Sequence, residues 1–353
     1  MDPRQLREAY GRATGRAADS ATVTRLPGGA GNRTYWRVAE NGHSAVVMEL
    51  PLEPGKSEEA SKDFAPAELP FLNVHRYLEK LGVRVPHVLL DQHRQGCLVI
   101  EDLGDVTLEV ALGSVRGEAY AGIYEAAIDQ LARLRARAEK AVDPSCLAYG
   151  RAFDFDLYQW EFEHFIEYGL LGRGAQPSAS ELSTLRTAFE AVSQQLAAAP
   201  RGFTHRDYQS RNIMVLAPKG GGGPPVGEQV VIDFQDALQG PRQYDLVALL
   251  RDSYVELQRP LVERLLCRYL ARVADEGGPR LPEAEFIGFF DLLTVQRKLK
   301  DAGRFVFIDQ VKKNPSFLPH IPASLRYVKD ALARRPELGE VAGILARHVP
   351  ELR

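Results

Sequence analysis

The sequence predicts an α+β protein of two lobes, a β-rich N-terminal lobe over residues 1–103 and a mainly helical C-terminal lobe over residues 104–353. Three observations support this division. The first hundred residues contain short β-branched and aromatic runs that are separated by turn signals. After Gly104, most segments have apolar residues at helical spacing. The length of 353 residues suits about two domains or lobes.

The N-terminal lobe is expected to be a small sheet crossed by one helix. It begins with a short helix over 3–13, which has Pro3 in its first turn. A Gly-rich turn and the Asn41-Gly42 turn signal divide the next residues into an antiparallel meander of three strands. The elements predicted after the first helix are strands over 21–26, 33–39 and 44–50, a loop over 51–65, a helix over 67–81, and strands over 87–91 and 97–101.

The C-terminal lobe is expected to consist of helices, with two short strands in its middle. Apolar runs at 213–216 and 230–233 predict the strands, and the Gly- and Pro-rich segment between them predicts a surface turn. The predicted helices cover 117–139, 154–171, 180–199, 243–257, 260–275, 282–302, 322–333 and 337–348.

Composition excludes several classes of protein. The net charge of −3 gives no basic field of the kind that nucleic-acid binding requires. The three cysteines form no CxxC pair, which is typical of reduced thiols rather than of a zinc or dithiol site. No apolar run approaches the roughly 18 residues of a membrane span, and the first residues lack a signal peptide. We therefore expect a cytoplasmic monomer that binds neither nucleic acid nor membrane.

The strongest chemical signal is the segment HRDYQSRN at 205–212, followed by VIDFQD at 231–236. Phosphoryl transfer needs a carboxylate to accept the proton of the attacking hydroxyl. It also needs oxygen ligands that hold Mg²⁺ against the nucleotide phosphates. Asp207, Asn212 and Asp233 supply these groups in that order, and a hairpin between 213 and 233 would bring Asn212 close to Asp233.

These motifs resemble those of the aminoglycoside phosphotransferase superfamily, which has a protein-kinase-like fold. The stretches 232–252 (IDFQDALQGPRQYDLVALLRD) and 295–305 (VQRKLKDAGRF) look most like its bacterial branch of anomeric N-acetylmuramate/N-acetylglucosamine kinases. The resemblance implies ATP and Mg²⁺ as cofactors and a sugar α-1-phosphate product, made in cell-wall sugar recycling. It also implies Asp207 as the catalytic base and Asn212 and Asp233 as metal ligands. His205 and Asp245 are then expected to support the catalytic loop.

The nucleotide site is expected between the lobes. The Gly-rich turn before the second predicted strand suits a loop that covers phosphates, because glycines allow close approach of backbone N–H groups. The resemblance places the hinge that contacts adenine at the end of the last N-terminal strand. The predicted nucleotide-binding residues are Gly28, Gly29, Gly31, Asn32, Arg33, Thr34, Glu101 and Leu103.

Two departures from protein kinases affect this expectation. The strand that carries a phosphate-binding lysine in those enzymes reads AVVMEL here, with Met48 and Glu49. Arg33, Lys56 and Lys62 are the alternatives that we consider for its replacement. No long activation loop fits between 233 and 252, which favours a small-molecule acceptor over a protein.

The acceptor is expected to bind to the helical lobe, where carboxylates, an aromatic face and basic side chains suit an amino sugar. The predicted substrate-binding residues are Asp154, Glu161, His164, Tyr168, Arg211 and Arg297. An acidic segment would also attract aminoglycosides. An aminoglycoside O-phosphotransferase, a kinase of another small alcohol and a catalytically inactive nucleotide-binding regulator therefore stay open as alternatives.

Overall fold

The computed structural model describes residues 1–27, 33–51, 68–216 and 227–353. Its N-terminal lobe contains a five-stranded antiparallel sheet in the order β1-β2-β3-β5-β4. This confirms the predicted sheet crossed by a helix. The elements are α1 (Pro3–Thr14), β1 (Thr22–Arg25), β2 (Thr34–Glu40), β3 (His43–Glu49), α2 (Pro70–Lys80), β4 (Val88–Gln92) and β5 (Cys97–Glu101).

The two faces of this sheet pack against different partners, because side chains alternate along each strand. Val38 and Val47 lie on the face that packs against α1. Met48 and Leu98 lie on the opposite face, in the core that α2 and the C-terminal lobe share. The second face therefore faces the C-terminal lobe, on the side where the sequence predicts the nucleotide site. The predicted residues Gly28, Gly29, Gly31, Asn32, Lys56 and Lys62 lie outside the described residues.

The C-terminal lobe is mainly helical, as predicted, and two short antiparallel ribbons, β6–β9 and β7–β8, interrupt it. Its helices are α3 (Leu108–Ser114), α4 (Glu118–Lys140), α5 (Phe155–His164), α6 (Ala179–Ala197), α7 (Gln243–Leu250), α8 (Arg259–Asp275), α9 (Glu283–Gln310), α10 (Ile321–Leu332) and α11 (Gly339–His348). Its strands are β6 (Arg201–Thr204), β7 (Ile213–Val215), β8 (Gln229–Val231) and β9 (Leu238–Pro241). None of the helices that the structure describes is both long and apolar enough to span a bilayer.

Several element boundaries differ from the prediction. The helix predicted over 243–257 ends at Leu250, and the strand predicted over 230–233 ends at Val231. The helix predicted over 282–302 continues to Gln310. The helix predicted over 154–171 becomes a π-helix from Phe165 to Leu170. The elements α3, β6 and β9 were not predicted, because each is too short to give a clear period.

Two helices approach each other closely at the start of this π-helix. A Cβ atom on Gly303 of α9 would lie 2.9 Å from the Cα of Phe165. Only glycine allows this contact between α9 and the start of the π-helix. The contact holds α9 beside α5, and α9 supplies Arg297 to the site described next.

Candidate active site

The catalytic loop runs from His205 to Asn212, between β6 and β7. Its central residue Asp207 has a side chain that is 34% exposed, so the carboxylate is accessible from the cleft. The Asp207 carbonyl accepts hydrogen bonds from the Gln209 amide and from Asn212 Nδ2, both at 2.9 Å. The loop therefore folds back on itself and holds its two predicted functional residues together.

His205 links this loop to the strand that precedes the predicted metal ligand. Its Nδ1 accepts a hydrogen bond from the Asp207 amide (3.2 Å), and its Nε2 donates to the Ile232 carbonyl (3.0 Å). The ring is completely buried, and burial lowers its pKa. A neutral imidazole with its proton on Nε2 satisfies both contacts. This geometry suits the support role that the sequence predicts for His205.

Asp245, near the start of α7, anchors the same loop from below. Its two carboxylate oxygens accept hydrogen bonds from the His205 amide (2.8 Å) and the Arg206 amide (2.9 Å). Burial raises the pKa of Asp245, and His205 and the two backbone donors oppose that shift. Arg206 has a φ of 81°, an unfavourable conformation for a residue with a side chain. The bonds to Asp245 hold the loop in this conformation.

Arg297 of α9 lies behind the predicted base and is 2% exposed. It donates hydrogen bonds to the Arg206 carbonyl (2.8 Å) and to Asp207 Oδ1 (3.3 Å). Its guanidinium also lies 4.6 Å from the centroid of the Tyr244 ring. The sequence predicts Arg297 as a substrate contact. In the structure Arg297 is buried behind Asp207 and braces Oδ1 of that carboxylate, and its contact with a substrate stays a prediction.

Asn212 and Asp233 face each other across the hairpin, as their spacing predicts. Asn212 Nδ2 lies 3.4 Å from Asp233 Oδ2, and Gln235 Nε2 donates to Asp233 Oδ1 at 2.8 Å. Burial and the nearby charge of Asp207 raise the pKa of Asp233. A cation between these carboxylates would relieve their repulsion.

The donor set at this point fits magnesium. Because Asn212 Nδ2 is used in hydrogen bonds, the carboxamide oxygen of Asn212 is left for a metal beside the Asp233 carboxylate. Within the described parts of the chain, no cluster of three or more His, Cys, Asp or Glu residues forms a closed metal site. Mg²⁺ typically takes one or two protein oxygens together with substrate phosphates and water.

Asp252 is a loop-anchoring residue that the sequence analysis missed. It accepts hydrogen bonds from the Ser210 amide (2.8 Å) and from the Tyr254 amide (3.0 Å). It therefore fixes the second half of the catalytic loop, as Asp245 fixes the first half. The helix predicted over 243–257 hid this role, since Asp252 lies beyond the true end of α7 at Leu250. The signal available was the aspartate that closes the LLRD stretch.

The predicted substrate carboxylates have structural partners. Asp154 is exposed and caps α5 by accepting a hydrogen bond from the Leu157 amide (2.9 Å). Glu161 is fully buried, and it accepts a hydrogen bond from Gln296 (2.6 Å) of α9. Lys300 Nζ lies 4.0 Å from the same carboxylate. The geometry therefore gives Asp154 and Glu161 roles in capping and in helix packing, not an evident contact with the acceptor.

The aromatic candidates His164 and Tyr168 and the basic candidate Arg211 have separate sets of neighbours. The rings of His164, Tyr168 and Phe307 meet with centroids 4.8–5.2 Å apart, and Trp160 stacks on His164. Arg211 makes two hydrogen bonds to the Glu109 carboxylate, at 2.6 and 3.1 Å. Its guanidinium lies 3.6 Å from the Tyr254 ring centroid. Arg211, near the end of the catalytic loop, is therefore held between the Glu109 carboxylate and the Tyr254 ring.

Three further predicted residues are Glu101 and Leu103 near the hinge and Thr34 on β2. The Glu101 carboxylate accepts hydrogen bonds from Arg84 (2.5 Å) and from the His87 amide (3.1 Å). Among the residues that the structure describes, the Leu103 amide and carbonyl have no hydrogen-bond partner, as an adenine contact requires. Thr34 shares the face of β2 that packs on α1, so its predicted phosphate contact is not supported.

Comparison with known proteins shows to which protein family this chain belongs. A sequence model of the phosphotransferase enzyme family matches residues 22–283. The chain belongs to this family. Members similar to it include N-acetylmuramate/N-acetylglucosamine kinases of Pseudomonas aeruginosa and Neisseria meningitidis. The first is 31% identical over 316 residues, which cover 89% of this chain and 85% of that protein. The second is 30% identical over 322 residues, which cover 90% and 87%.

Solved structures of the family confirm the predicted kinase-like fold. An aminopropanol kinase associated with a microcompartment superposes with a TM-score of 0.61 at 15% identity, covering 95% of this chain and 98% of that chain. An ADP-bound aminoglycoside phosphotransferase, APH(2'')-Ib, gives a TM-score of 0.57 at 14% identity, covering 93% and 98%. The chain is thus a phosphotransferase of kinase-like fold.

Proposed function

We propose that this phosphotransferase transfers the γ-phosphoryl group of ATP to the anomeric hydroxyl of N-acetylmuramate, N-acetylglucosamine or both, giving the sugar α-1-phosphate. The observation that carries this proposal is the 30–31% identity, over about nine-tenths of the chain, to kinases named for these two sugars. The arrangement of Asp207, Asn212 and Asp233 supports the same chemistry, because it supplies a base and a metal-ligand pair in one cleft.

In the proposed mechanism Asp207 acts as the general base. Arg297 holds Oδ1, and Oδ2 accepts the proton of the sugar's O1–H group as O1 attacks phosphorus. The bond between phosphorus and the bridging oxygen breaks, and ADP leaves with that electron pair. A hemiacetal hydroxyl is more acidic than an ordinary alcohol, so a carboxylate of ordinary basicity is sufficient. No covalent enzyme intermediate is required.

Asn212 and Asp233 would hold Mg²⁺, which supplies charge neutralisation for the transferring phosphoryl group when it is bound. The residues of the loop then have a positioning task. Asp245 and Asp252 fix the two halves of the loop, and His205 ties the loop to the strand that leads to Asp233. The base and the ligand pair are thereby held in place before substrate binds.

The proposal is tested by following ADP release with ATP, Mg²⁺ and a panel of acceptors. We expect turnover with N-acetylmuramate or N-acetylglucosamine and little turnover with kanamycin or aminopropanol. Asp207→Asn serves as the inactive control, and Asp156→Asn, an exposed residue of the first turn of α5, serves as the matched control. Turnover of kanamycin or aminopropanol without turnover of either sugar would contradict the proposed acceptor.

A further inference from the structure

The turn of α9 that begins at Arg297 lies directly behind the predicted base, because Arg297 donates a hydrogen bond to Asp207 Oδ1 (3.3 Å). Lys300 and Asp301 follow three and four residues later, so they lie on the same side of the helix, about one turn or 5.4 Å further along its axis. Burial lowers the pKa of Arg297, but nearby groups that include Asp301 and Asp207 raise it above its ordinary value. Lys300 and Asp301 are therefore close neighbours of the base.

One oxygen of the Asp301 carboxylate is held by a chain of buried polar contacts. Lys298 Nζ donates hydrogen bonds to Asp301 Oδ2 and to Ser253 Oγ, both at 2.6 Å. The hydroxyl of Ser253 in turn hydrogen-bonds to Ser324 Oγ of α10 (2.8 Å). These contacts fix the orientation of Asp301 before any ligand binds, as the support of a binding residue requires.

The other oxygen of Asp301 and the Lys300 ammonium form no hydrogen bond with any residue that the structure describes. Lys300 Nζ lies 3.7 Å from Asp301 Oδ1 and 4.0 Å from Glu161 Oε1, and both distances are longer than a hydrogen bond. Lys300 is 7% exposed, whereas the side chain of Asp301 keeps 15% of its surface exposed. An ammonium with three donors is costly to bury without hydrogen bonds. A ligand that donates to Asp301 and accepts from Lys300 would satisfy both groups.

We propose that Lys300 and Asp301 bind hydroxyl groups of the acceptor sugar and so position its anomeric hydroxyl at Asp207. The inference rests on the proposed function, because it concerns the acceptor side of the same site. A hydroxyl both donates and accepts hydrogen bonds, so it matches a pair that offers one acceptor oxygen and one ammonium.

The charges of this pair also favour one class of acceptor. Lys300 and Asp301 together have no net charge, which suits a neutral hydroxyl. An ammonium group of an aminoglycoside would lie beside Lys300, and like charges repel at this distance. N-acetylmuramate and N-acetylglucosamine share the hydroxyls at C4 and C6, so the same pair would serve both sugars.

The test compares the KM for the acceptor with kcat and with ATP affinity. In Asp301→Asn the amide oxygen can still accept from Lys298, but the acceptor at the position of Oδ1 is lost. We expect the KM for both sugars to rise by about 10–100-fold, the range for one lost hydrogen bond to a charged group. Lys300→Met should raise it similarly, with a smaller change in kcat and unchanged ATP affinity by calorimetry. Glu285→Gln, in the exposed first turn of α9, is the matched control.

Deoxy analogues of the sugar separate binding from a merely structural effect. Wild type should have a raised KM for 4-deoxy- or 6-deoxy-N-acetylglucosamine, and Asp301→Asn should raise the KM for that analogue no further, because the contact is already absent. An unchanged acceptor KM in both variants would overturn the inference, as would an equal loss with the parent sugar and with both analogues. Failure of wild type to phosphorylate either sugar would contradict the proposed function, and the inference with it.

Discussion

The two walls of the cleft are held in different ways. On the C-terminal wall, His205, Asp245 and Arg297 are at most 4% exposed, and each makes two hydrogen bonds that fix the catalytic loop. On the N-terminal wall, the side chain of Arg37 is 22% exposed and forms ion pairs with Asp102 and Asp105 at the hinge. The comparison teaches that the catalytic loop is fixed from behind by buried side chains, whereas the hinge is held by an ion pair that is partly exposed to solvent.

The largest effect is expected at the base itself. Asp207→Asn should lower kcat by about 10²–10⁴-fold, because an amide cannot take the acceptor proton. ATP affinity should change little, since Asp207 acts on the acceptor. Rapid-mixing kinetics measure kcat, and calorimetry measures ATP binding. Normal turnover by the purified variant would show that another group is the base.

A smaller loss is expected when the brace behind the base is removed. Arg297→Met leaves the Arg206 carbonyl without its donor and frees Asp207 to rotate, so we expect kcat to fall by about 10–100-fold. Arg297→Lys should restore only part of the rate, because an ammonium lacks the guanidinium fork. The KM for the acceptor distinguishes the alternatives. An increase in this KM with unchanged kcat would favour the substrate contact that the sequence predicts.

Anchoring of the loop should also appear in stability. Asp245→Asn replaces two acceptor oxygens by one, and it leaves one buried backbone N–H facing an amide. We expect the free energy of unfolding, measured in urea, to be lower by about 1–3 kcal/mol. The matched control is Asp275→Asn, at the exposed end of α8. Equal midpoints for the Asp245 variant and wild type would contradict the anchoring role.

The hinge contact on the N-terminal wall should contribute least and should depend on pH. Burial raises the pKa of Asp102, but hydrogen bonds from Arg37, Ser44 and the Gly104 amide, together with the charge of Arg37, outweigh burial, and the folded-state pKa lies below the ordinary value. Stabilisation by Asp102 is therefore complete above the unfolded-state pKa near 4 and is lost as the pH falls through the folded-state value.

At neutral pH we expect Asp102→Asn to lower the free energy of unfolding by about 1 kcal/mol. This difference from wild type should shrink below about pH 4. Asp105→Asn removes the other partner of Arg37. Because the Asp105 side chain is 77% exposed, this variant should have a smaller effect. Unfolding curves recorded at several pH values check both variants. A difference that grows as the pH falls would contradict the assignment.

The sequence predicts well the part of the site that local spacing determines. The spacing within 205–212 and the following strand is enough to bring Asp207, Asn212 and Asp233 together, because a short loop and a hairpin leave few alternatives. The resemblance adds the confirmed kinase-like fold, and the family match confirms the phosphotransferase class.

Other features depend on tertiary contacts that no local pattern shows. A basic run on α9 resembles a surface face, yet Arg297 is buried, because the carbonyl and carboxylate that satisfy it come from a distant loop. Asp252 lies just beyond the end of α7, and it accepts a hydrogen bond from Ser210, which lies 42 residues earlier in the chain.

The most direct test of the account is phosphorus NMR of the products formed from ATP, Mg²⁺ and N-acetylmuramate or N-acetylglucosamine. The account predicts a new signal of a phosphate bonded to C1, with the coupling of an α-anomeric proton. This signal should be absent with Asp207→Asn. A phosphate on another hydroxyl, or no sugar phosphate from either compound under conditions where the protein phosphorylates a different acceptor, would contradict it.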